Sequence, residues 1–326
     1  MTPSTDPVRR LLAAVALGAL AACSSAAGGD DGVDPVPTVG FLRSVPNADL
    51  DSYLDELRAQ GWVPGRTVRI EPAEGEVTFG TEAEARAALE AWEQEGLAVV
   101  VAFSTPYARL AEEVTDLPGL FVVNDPVGSG LVGDPTRPDG QLTGVAWDTP
   151  ADLTLDLAAQ VLGSLRRVGY LLAMDDPAVP GHRDRVVEAA SHLGIEVVDA
   201  TFTGPADVAD AVAELAAAQV DAVFVPSANA VIPVLGPLEE ALDGAGLPAL
   251  SNAQFIDIAV VTLTPDAQEL NRQLARQTTR LLSGVPVSSV PTETPRRFKV
   301  TIDRTRARAL GIEIDPSVLR QADVVR

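Results

Sequence analysis

The sequence predicts an α/β protein with two doubly wound parallel-sheet lobes joined by a three-segment hinge. From Thr38 onward, short runs of β-branched residues alternate with longer stretches of helical spacing. Regular alternation of strand and helix is typical of parallel sheets that carry helices on both faces. The chain has 326 residues, which is enough for two lobes of ordinary domain size.

Short apolar runs predict the strands, and local signals predict where several helices begin. The helix over residues 81–94 opens with a capping box from Thr81 to Glu84. Three more helices are predicted to begin with a threonine cap followed by proline, at Thr105, Thr149 and Thr264. Further helices are predicted over residues 49–60, 183–193 and 265–282, and strands over 39–42, 68–70, 98–103, 120–123, 168–172, 196–198, 222–225 and 259–263.

The first 23 residues have the pattern of a bacterial lipoprotein signal. Arg9 and Arg10 precede an apolar run over residues 11–22, which ends in Leu-Ala-Ala and then Cys23. The run is too short to span a bilayer but has the length of a secretory signal. Cys23 is the only cysteine, so no internal disulfide is possible. We expect Cys23 to carry a lipid anchor on the extracytoplasmic face of the membrane; the alternative is a twin-Arg or ordinary secretory peptide with an incidental cysteine.

The remaining chain divides into a tether and two lobes. Glycine, serine, aspartate and proline dominate the stretch after the signal, a composition typical of a flexible linker. Extended segments near residues 143–147, 261–264 and 290–295 indicate three crossings between the lobes. The predicted boundaries are 1–22 for the signal peptide, 23–37 for the tether, 38–146 with 263–290 for lobe I, and 147–262 with 291–326 for lobe II.

Charge and missing motifs argue against several classes of function. A net charge of −22 repels nucleic-acid phosphate and offers no cationic face to anionic lipid. The chain has no His-Glu-x-x-His, no cysteine pair, no Gly-x-Ser-x-Gly and no P-loop. Its two histidines, His182 and His192, fall on one predicted helical stretch among charged neighbours, which predicts a surface location. The missing motifs predict a protein without enzymatic activity, metal or cofactor. We also expect a monomer.

Several strings carry a resemblance to a known family. The most specific is Asp-Pro-Val-Gly-Ser-Gly-Leu-Val at residues 125–132. Others are Val-Gly-Phe-Leu at 39–42, Gly-Trp-Val-Pro-Gly-Arg at 61–66, Leu-Thr-Gly-Val at 142–145, Arg-Val-Gly-Tyr at 167–170, Val-Asp-Ala-Val-Phe-Val-Pro at 220–226, Pro-Thr-Glu-Thr-Pro at 291–295 and Ala-Leu-Gly-Ile at 309–312. In these strings the chain resembles ABC-transporter substrate-binding proteins of the tryptophan/tyrosine-binding lipoprotein type.

The resemblance implies a type I periplasmic-binding-protein fold. Such a protein captures a small, amino-acid-like molecule between its lobes and delivers it to a membrane permease. One alternative is a sensor lipoprotein that presents its ligand to a membrane signalling protein. A third hypothesis, an enzyme on the same fold, needs an organised nucleophile or acid-base pair that the sequence does not show.

Polar residues at predicted strand ends are the candidate ligand contacts in lobe I, because ligands bind open α/β sheets beyond those ends. Ser104 and Thr105 either hold a ligand carboxylate or only cap a helix. Asn124 and Asp125 end the next strand, and Asp125 either pairs with a ligand amine or caps the turn at Pro126, the turn being slightly favoured.

Lobe II offers two comparable pairs. Ser227 and Asn229 match a polar family position that faces the cleft, and Ser251 and Asn252 stand in the same topological situation. The family often has a carboxylate near the second pair, and its absence removes an ion pair for an α-amino group. Either another carboxylate replaces it, or the ligand is not an amino acid. The sequence candidates for that replacement are Asp125 and Asp148.

Two segments depart from the family pattern. The loop with Arg43, Ser44 and Asn47 stands where the family commonly shows glutamine and a Glu-His-Pro run. Trp147 replaces a small polar or acidic residue near the first crossing. Its ring either stacks on the ligand or packs against the hinge.

Overall fold

The computed structural model describes residues 35–43, 50–72, 79–173, 176 and 179–326. The predicted signal peptide, the lipidation site Cys23, most of the tether, and the candidates Ser44 and Asn47 lie outside these residues. Within the described ranges, no helix has both the length and the apolar character needed to cross a membrane.

The first sheet has five parallel strands in the order β2-β1-β3-β4-β5. These are β1 (Thr38–Leu42), β2 (Arg69–Glu71), β3 (Val99–Phe103), β4 (Gly119–Val123) and β5 (Leu142–Ala146). Its helices are α1 (Leu50–Ala59), α2 (Glu82–Glu95), α3 (Thr105–Val114) and, from late in the chain, α8 (Ala267–Leu282).

The second sheet has seven strands in the order β12-β11-β10-β9-β8-β6-β7. These are β6 (Arg167–Ala173), β7 (Glu196–Phe202), β8 (Ala222–Val225), β9 (Ala249–Ser251), β10 (Ala259–Pro265), β11 (Phe298–Ile302) and β12 (Val324–Val325). All neighbours pair in parallel except β10 and β11, which are antiparallel. The helices are α4 (Ala151–Leu162), α5 (Val179–Leu193), α6 (Val208–Ala217), α7 (Leu235–Ala245), α9 (Arg304–Ala309) and α10 (Pro316–Leu319).

Helices cover both faces of the first sheet, and the apolar side chains that alternate along its strands are buried against them. Val99 and Val101 of β3 belong to the apolar cluster that includes residues of α1 and α8. Val100 and Ala102, between and after them, belong to the cluster that includes residues of α2 and α3. Successive side chains of a strand point to opposite faces, so a strand buried on both sides is apolar throughout. The prediction of an α/β protein with two doubly wound sheets is confirmed.

The chain crosses between the two sheets three times. It leaves the first sheet after β5, returns after β10 to form α8 against α1, and reaches β11 through residues 290–297. In this third crossing Glu293 forms a parallel bridge with Val145, and its carbonyl accepts a 2.8 Å hydrogen bond from the Ala146 amide. The three predicted crossings are therefore present.

The helix caps agree with the sequence at one of four positions. Thr81 Oγ1 accepts a hydrogen bond from the Glu84 amide at 3.3 Å, and Glu84 Oε2 accepts one from the Thr81 amide at 3.2 Å. This is the predicted capping box. Helices α3 and α4 do begin next to Thr105 and Thr149, but neither hydroxyl has a hydrogen-bond partner in the described residues, so these two caps are wrong. The third is also wrong, because Thr264 lies inside β10.

The start of α8 shows why a threonine followed by a proline is weak evidence for a helix start. Asp266 caps this helix, and its Oδ1 accepts hydrogen bonds from the amides of Gln268 at 3.0 Å and Glu269 at 3.2 Å. Thr264 and Pro265 extend β10, where they pair with β11. Aspartate is at least as good a cap as threonine, and here the strand continues up to it.

Three strands (β9, β11 and β12), four helices (α6, α7, α9 and α10) and one helix start were not predicted. β9 has three residues and β12 has two, so neither shows a periodic pattern. β11 is only partly buried, and its mixed composition does not distinguish it from a loop in the sequence. The α5 helix starts at Val179, four residues before the predicted start.

Candidate functional site

Polar residues at the carboxyl ends of strands from both sheets meet directly. Asn229 follows β8, and its Nδ2 donates a 3.1 Å hydrogen bond to Oγ of Ser104, which follows β3. Asn124 follows β4, and its Nδ2 donates a 2.7 Å hydrogen bond to the carbonyl of Ser227. Parallel strands end at the same edge of their sheet, so these contacts place the two edges against each other.

The backbone of Ser104 is held in a conformation that is rare for serine. Its φ is 114° and its ψ is 153°, a region populated almost only by glycine. Such a conformation costs on the order of 1–3 kcal/mol and is concentrated at ligand-binding sites. The side chain of Ser104 thereby reaches Asn229 of the other sheet instead of capping its own helix.

The hydroxyl of Thr105 is buried beside Ser104. Only 1% of the residue is exposed, and its Oγ1 has no hydrogen-bond partner within the described part of the chain. A buried hydroxyl left unpaired costs about 1–3 kcal/mol. This orphan group stands beside the strained Ser104, at the strand end where the sequence predicts a ligand.

Asp125 caps its turn and pairs with an arginine that the sequence analysis missed. Its Oδ1 accepts a 2.7 Å hydrogen bond from the Gly128 amide, as the turn alternative predicts. Its Oδ2 lies 2.7 Å from Nη1 of Arg185 on α5. Asp148 lies near the same guanidinium, with 3.6 Å between Oδ1 and Nε. Both carboxylates considered for a ligand amine thus face an arginine of the protein.

Burial and neighbouring charge act in opposite directions on Asp148. Burial raises the pKa of its carboxyl group, and the positive charge of Arg185 lowers it. Its chain neighbour Trp147 packs against the core of the first sheet, and the indole Nε1 donates a 3.1 Å hydrogen bond to the Asn252 carbonyl. Trp147 therefore packs at the first crossing and links the two sheets.

Asn252 is the centre of a buried hydrogen-bond network in the second lobe. It is fully buried, its Oδ1 accepts from the Ser227 amide at 2.8 Å, and its Nδ2 lies 3.0 Å from Nε2 of His182. The other imidazole nitrogen, Nδ1, lies 2.8 Å from the hydroxyl of Tyr170. Ser251 is also fully buried, and its Oγ donates to the Val225 carbonyl at 2.8 Å. Ser251 and Asn252 thus make their hydrogen bonds to the protein.

The network corrects the prediction that both histidines lie on the surface. His182 is 2% exposed, whereas His192 is exposed as predicted. The charged neighbours of His182 along the chain point elsewhere on the helix, and the imidazole faces the ring of Phe224, 5.2 Å between centroids. Burial, and secondarily the charge of Arg185, lowers the pKa of His182 to about 3.

A buried aspartate next to the interlobe contacts was also missed. Asp176 follows β6 and is 5% exposed, and its Oδ2 accepts a 3.2 Å hydrogen bond from the Ala230 amide. Ala230 is the neighbour of Asn229, so this carboxylate belongs to the same strand-end group. The signal available in the sequence was position alone, since Asp176 comes shortly after a predicted strand, as Asn124 does.

Of the three candidates in the first strand-end loop, Arg43 is the one that lies among the described residues. It follows β1 and is 3% exposed, and burial lowers the pKa of its guanidinium. An arginine buried at a strand end adds positive charge to the same edge of the sheet as Ser104. Across the described ranges there is no group of three histidine, cysteine or acidic residues arranged to hold a metal ion.

Comparison with known proteins now identifies the family. Residues 57–326 match the family described as ABC transporter substrate binding protein. This chain belongs to that family. Members of the family are the non-enzymatic solute-binding components of transporters, so the prediction that the chain is not an enzyme is confirmed.

Individual relatives of this substrate-binding protein agree with the assignment. It is 21% identical to the tyrosine-binding protein of Clostridioides difficile over 283 residues, which is 84% of this chain and 81% of the relative. A crystal structure of an ABC domain in complex with L-Trp from Streptococcus pneumonia superimposes with a TM-score of 0.79 at 22% identity, over 89% of this chain and 99% of that one.

A more distant structure indicates how widely the fold is shared. A periplasmic binding protein/LacI transcriptional regulator from Alkaliphilus metalliredigens has a TM-score of 0.51 at 12% identity, over 81% of this chain and 96% of the other. The predicted type I fold and the predicted family are thereby confirmed for this substrate-binding protein.

Proposed function

We propose that this substrate-binding protein captures an aromatic amino acid between its two sheets and delivers it to an ABC permease. The observation that carries the proposal is the direct meeting of strand-end polar groups from both sheets, with Asp176 among them. The ligands of two relatives, tyrosine and L-Trp, support the ligand class.

The described residues offer complementary groups for a zwitterion. The hydroxyls of Ser104 and Thr105 and the nearby buried Arg43 suit a ligand carboxylate. The carboxylate of Asp176 suits the α-ammonium group, and so takes the role of the acidic residue that is missing near Asn252. Asp125 and Asp148 are less suited, because both carboxylates already face Arg185.

The ammonium contact gives a direct test by calorimetry. We expect L-Trp or L-Tyr to bind the wild-type chain and Asp176→Asn to weaken that binding tenfold or more, because a charge-assisted hydrogen bond is lost. Indole-3-propionate lacks the ammonium group, so the same substitution should leave its binding unchanged. Asn229→Ala should also weaken L-Trp about tenfold, because it removes a polar group from the second lobe.

The matched control for Asp176→Asn is Asp210→Asn, an isosteric change with the same loss of charge at an exposed position of α6. It should leave L-Trp binding unchanged. Absence of binding by both aromatic amino acids would refute the ligand assignment, and wild-type affinity of Asp176→Asn would refute the role of that carboxylate.

We further propose that Cys23 anchors the protein to the extracytoplasmic face of the membrane through lipid. The Leu-Ala-Ala-Cys motif and the polar tether after it support this proposal. Cys23→Ser should yield a folded protein that binds ligand and is no longer retained on membranes. Cell fractionation measures this, with Ser25→Ala as a control two residues away; retention of Cys23→Ser in the membrane fraction would refute lipid anchoring.

A further inference from the structure

A polar cavity, the α8 cavity, lies between α8 and the third crossing, away from the interlobe contacts. One wall is a face of α8 with Glu269, Gln273 and Arg276, and the other is the chain from Thr292 to Arg297. The cavity has a volume of about 850 Å³, within the range of sites that hold small metabolites. Nothing in the proposed amino-acid site involves these residues.

The charged side chains of this α8 cavity leave two arginines available for an anion. Arg276 is engaged, with 3.4 Å to Glu269 and 3.8 Å to Glu56. Arg296 and Arg297 are exposed, and no ion pair within 4.0 Å of either is found in the described ranges. The lining has three arginines and two glutamates, so its net charge is positive in a chain whose net charge is −22.

One residue that lines the α8 cavity, Gln273, has a buried acceptor that a hydrogen-bond donor of a ligand would satisfy. Gln273 is 6% exposed, and its Oε1 is buried without a partner in the part of the chain that is described. A buried amide oxygen left unpaired costs about 1–3 kcal/mol. Glu293, on the facing wall, is a second acceptor for ligand donors.

We propose that the α8 cavity binds a small hydroxylated carboxylate of the sugar-acid type. The carboxylate lies between Arg296 and Arg297, which offer planar, multidentate donors. Hydroxyl groups of the ligand donate to Gln273 Oε1 and to the Glu293 carboxylate. A carboxylate without hydroxyls leaves both acceptors unpaired, and a neutral polyol leaves the arginines without an anion.

Isothermal titration calorimetry of the full chain with D-gluconate tests this site. Hexanoate is the matched probe, because it keeps the six-carbon carboxylate and lacks every hydroxyl. We expect gluconate to bind at least tenfold more tightly than hexanoate, and the double variant Arg296→Ala/Arg297→Ala to weaken gluconate binding tenfold or more. Gln273→Leu should weaken gluconate binding and leave that of hexanoate unchanged.

Two further variants test whether gluconate binding is specific to the α8 cavity. Arg66→Ala/Arg69→Ala removes the same charge from two exposed arginines at the start of β2 and should leave gluconate binding unchanged. Asp176→Asn should also retain gluconate binding, so this proposal and the amino-acid proposal can fail separately. Absence of gluconate binding, its survival in the Arg296→Ala/Arg297→Ala variant, or its loss in Asp176→Asn would overturn the proposal.

Discussion

Gly144→Ala is expected to destabilise the protein by about 3 kcal/mol or more. Gly144 of β5 pairs with Phe121 of β4, and a Cβ atom at this glycine would lie 2.1 Å from the Phe121 carbonyl oxygen and 2.5 Å from its amide nitrogen. Both atoms belong to the backbone, so no side chain can rotate away. The two strands would have to separate to admit one methyl group.

The same glycine also connects the sheet to the third crossing, which increases the expected effect. Its carbonyl accepts hydrogen bonds from the Glu293 amide at 2.9 Å and from Gln277 Nε2 at 3.1 Å. Moving β5 therefore disturbs the segment that joins the two sheets as well as the β4–β5 ladder. Loss of stability should be accompanied by weaker ligand binding.

Thermal and urea unfolding measure this effect, and Gly204→Ala is the control. No atom lies within 4 Å of a Cβ at Gly204, and its φ is outside the left-handed region, so its substitution should change stability by less than about 0.5 kcal/mol. Equal stability of the Gly144→Ala and Gly204→Ala variants would show that the β4–β5 contact is looser than the structure indicates.

Acid is expected to destabilise the protein through His182. The amide of Ser227 can only donate, so it fixes Asn252 Oδ1 as the acceptor and leaves Asn252 Nδ2 to donate to His182 Nε2. The neutral imidazole then carries its proton on Nδ1, toward the Tyr170 hydroxyl. A second proton on Nε2 would break the bond to Asn252 and place a charge in the core.

The sign of the pH dependence follows from the pKa of His182 in each state. The pKa is lowered to about 3 in the folded protein and has its ordinary value of about 6.5 in the unfolded chain. Between these values the unfolded state binds the extra proton, so the free energy of unfolding falls as the pH falls below 6.5. The slope approaches about 1.4 kcal/mol per pH unit, which amounts to about 3 kcal/mol at pH 4.5.

Denaturant unfolding of a His182→Gln variant between pH 7.5 and pH 4.5 isolates this contribution. The variant should be less stable at neutral pH, because the network loses a partner, but its stability should fall less steeply in acid. His192→Gln removes the exposed histidine ten positions away and should reproduce the wild-type profile. Parallel profiles for wild type and His182→Gln would contradict the assignment.

Local patterns were sufficient to predict the architecture and much of the site. Runs of β-branched residues become buried strands wherever both faces are covered, and Val99 to Ala102 show this directly. Ser104, Asn124, Ser227 and Asn229 were predicted as strand-end residues, and the structure brings them into direct contact. Their proximity follows from topology, since parallel strands present their carboxyl ends at one edge.

Local patterns gave wrong predictions where the structure of a segment depends on contacts with residues that are distant in the chain. The Thr-Pro pairs satisfy the rules for a helix start, but at Thr264 the pairing of β10 with β11 prolongs the strand and Asp266 caps the helix instead. The short β9 and β12 have too few residues for periodicity, and the partly buried β11 lacks a continuous apolar run.

The two-sheet α/β fold, the family and the strand-end positions of the candidate site all follow from the order of residues along the chain. Three other features are evident only in the folded protein: His182 is buried, Arg185 neutralises Asp125 across 60 residues of chain, and Asp176 is the buried carboxylate next to Asn229. These two sets of features differ because the periodicity of side chains and the caps of helices involve neighbours within a few residues. Burial and ion pairing, by contrast, are set by groups that are distant in the chain and meet only when it folds.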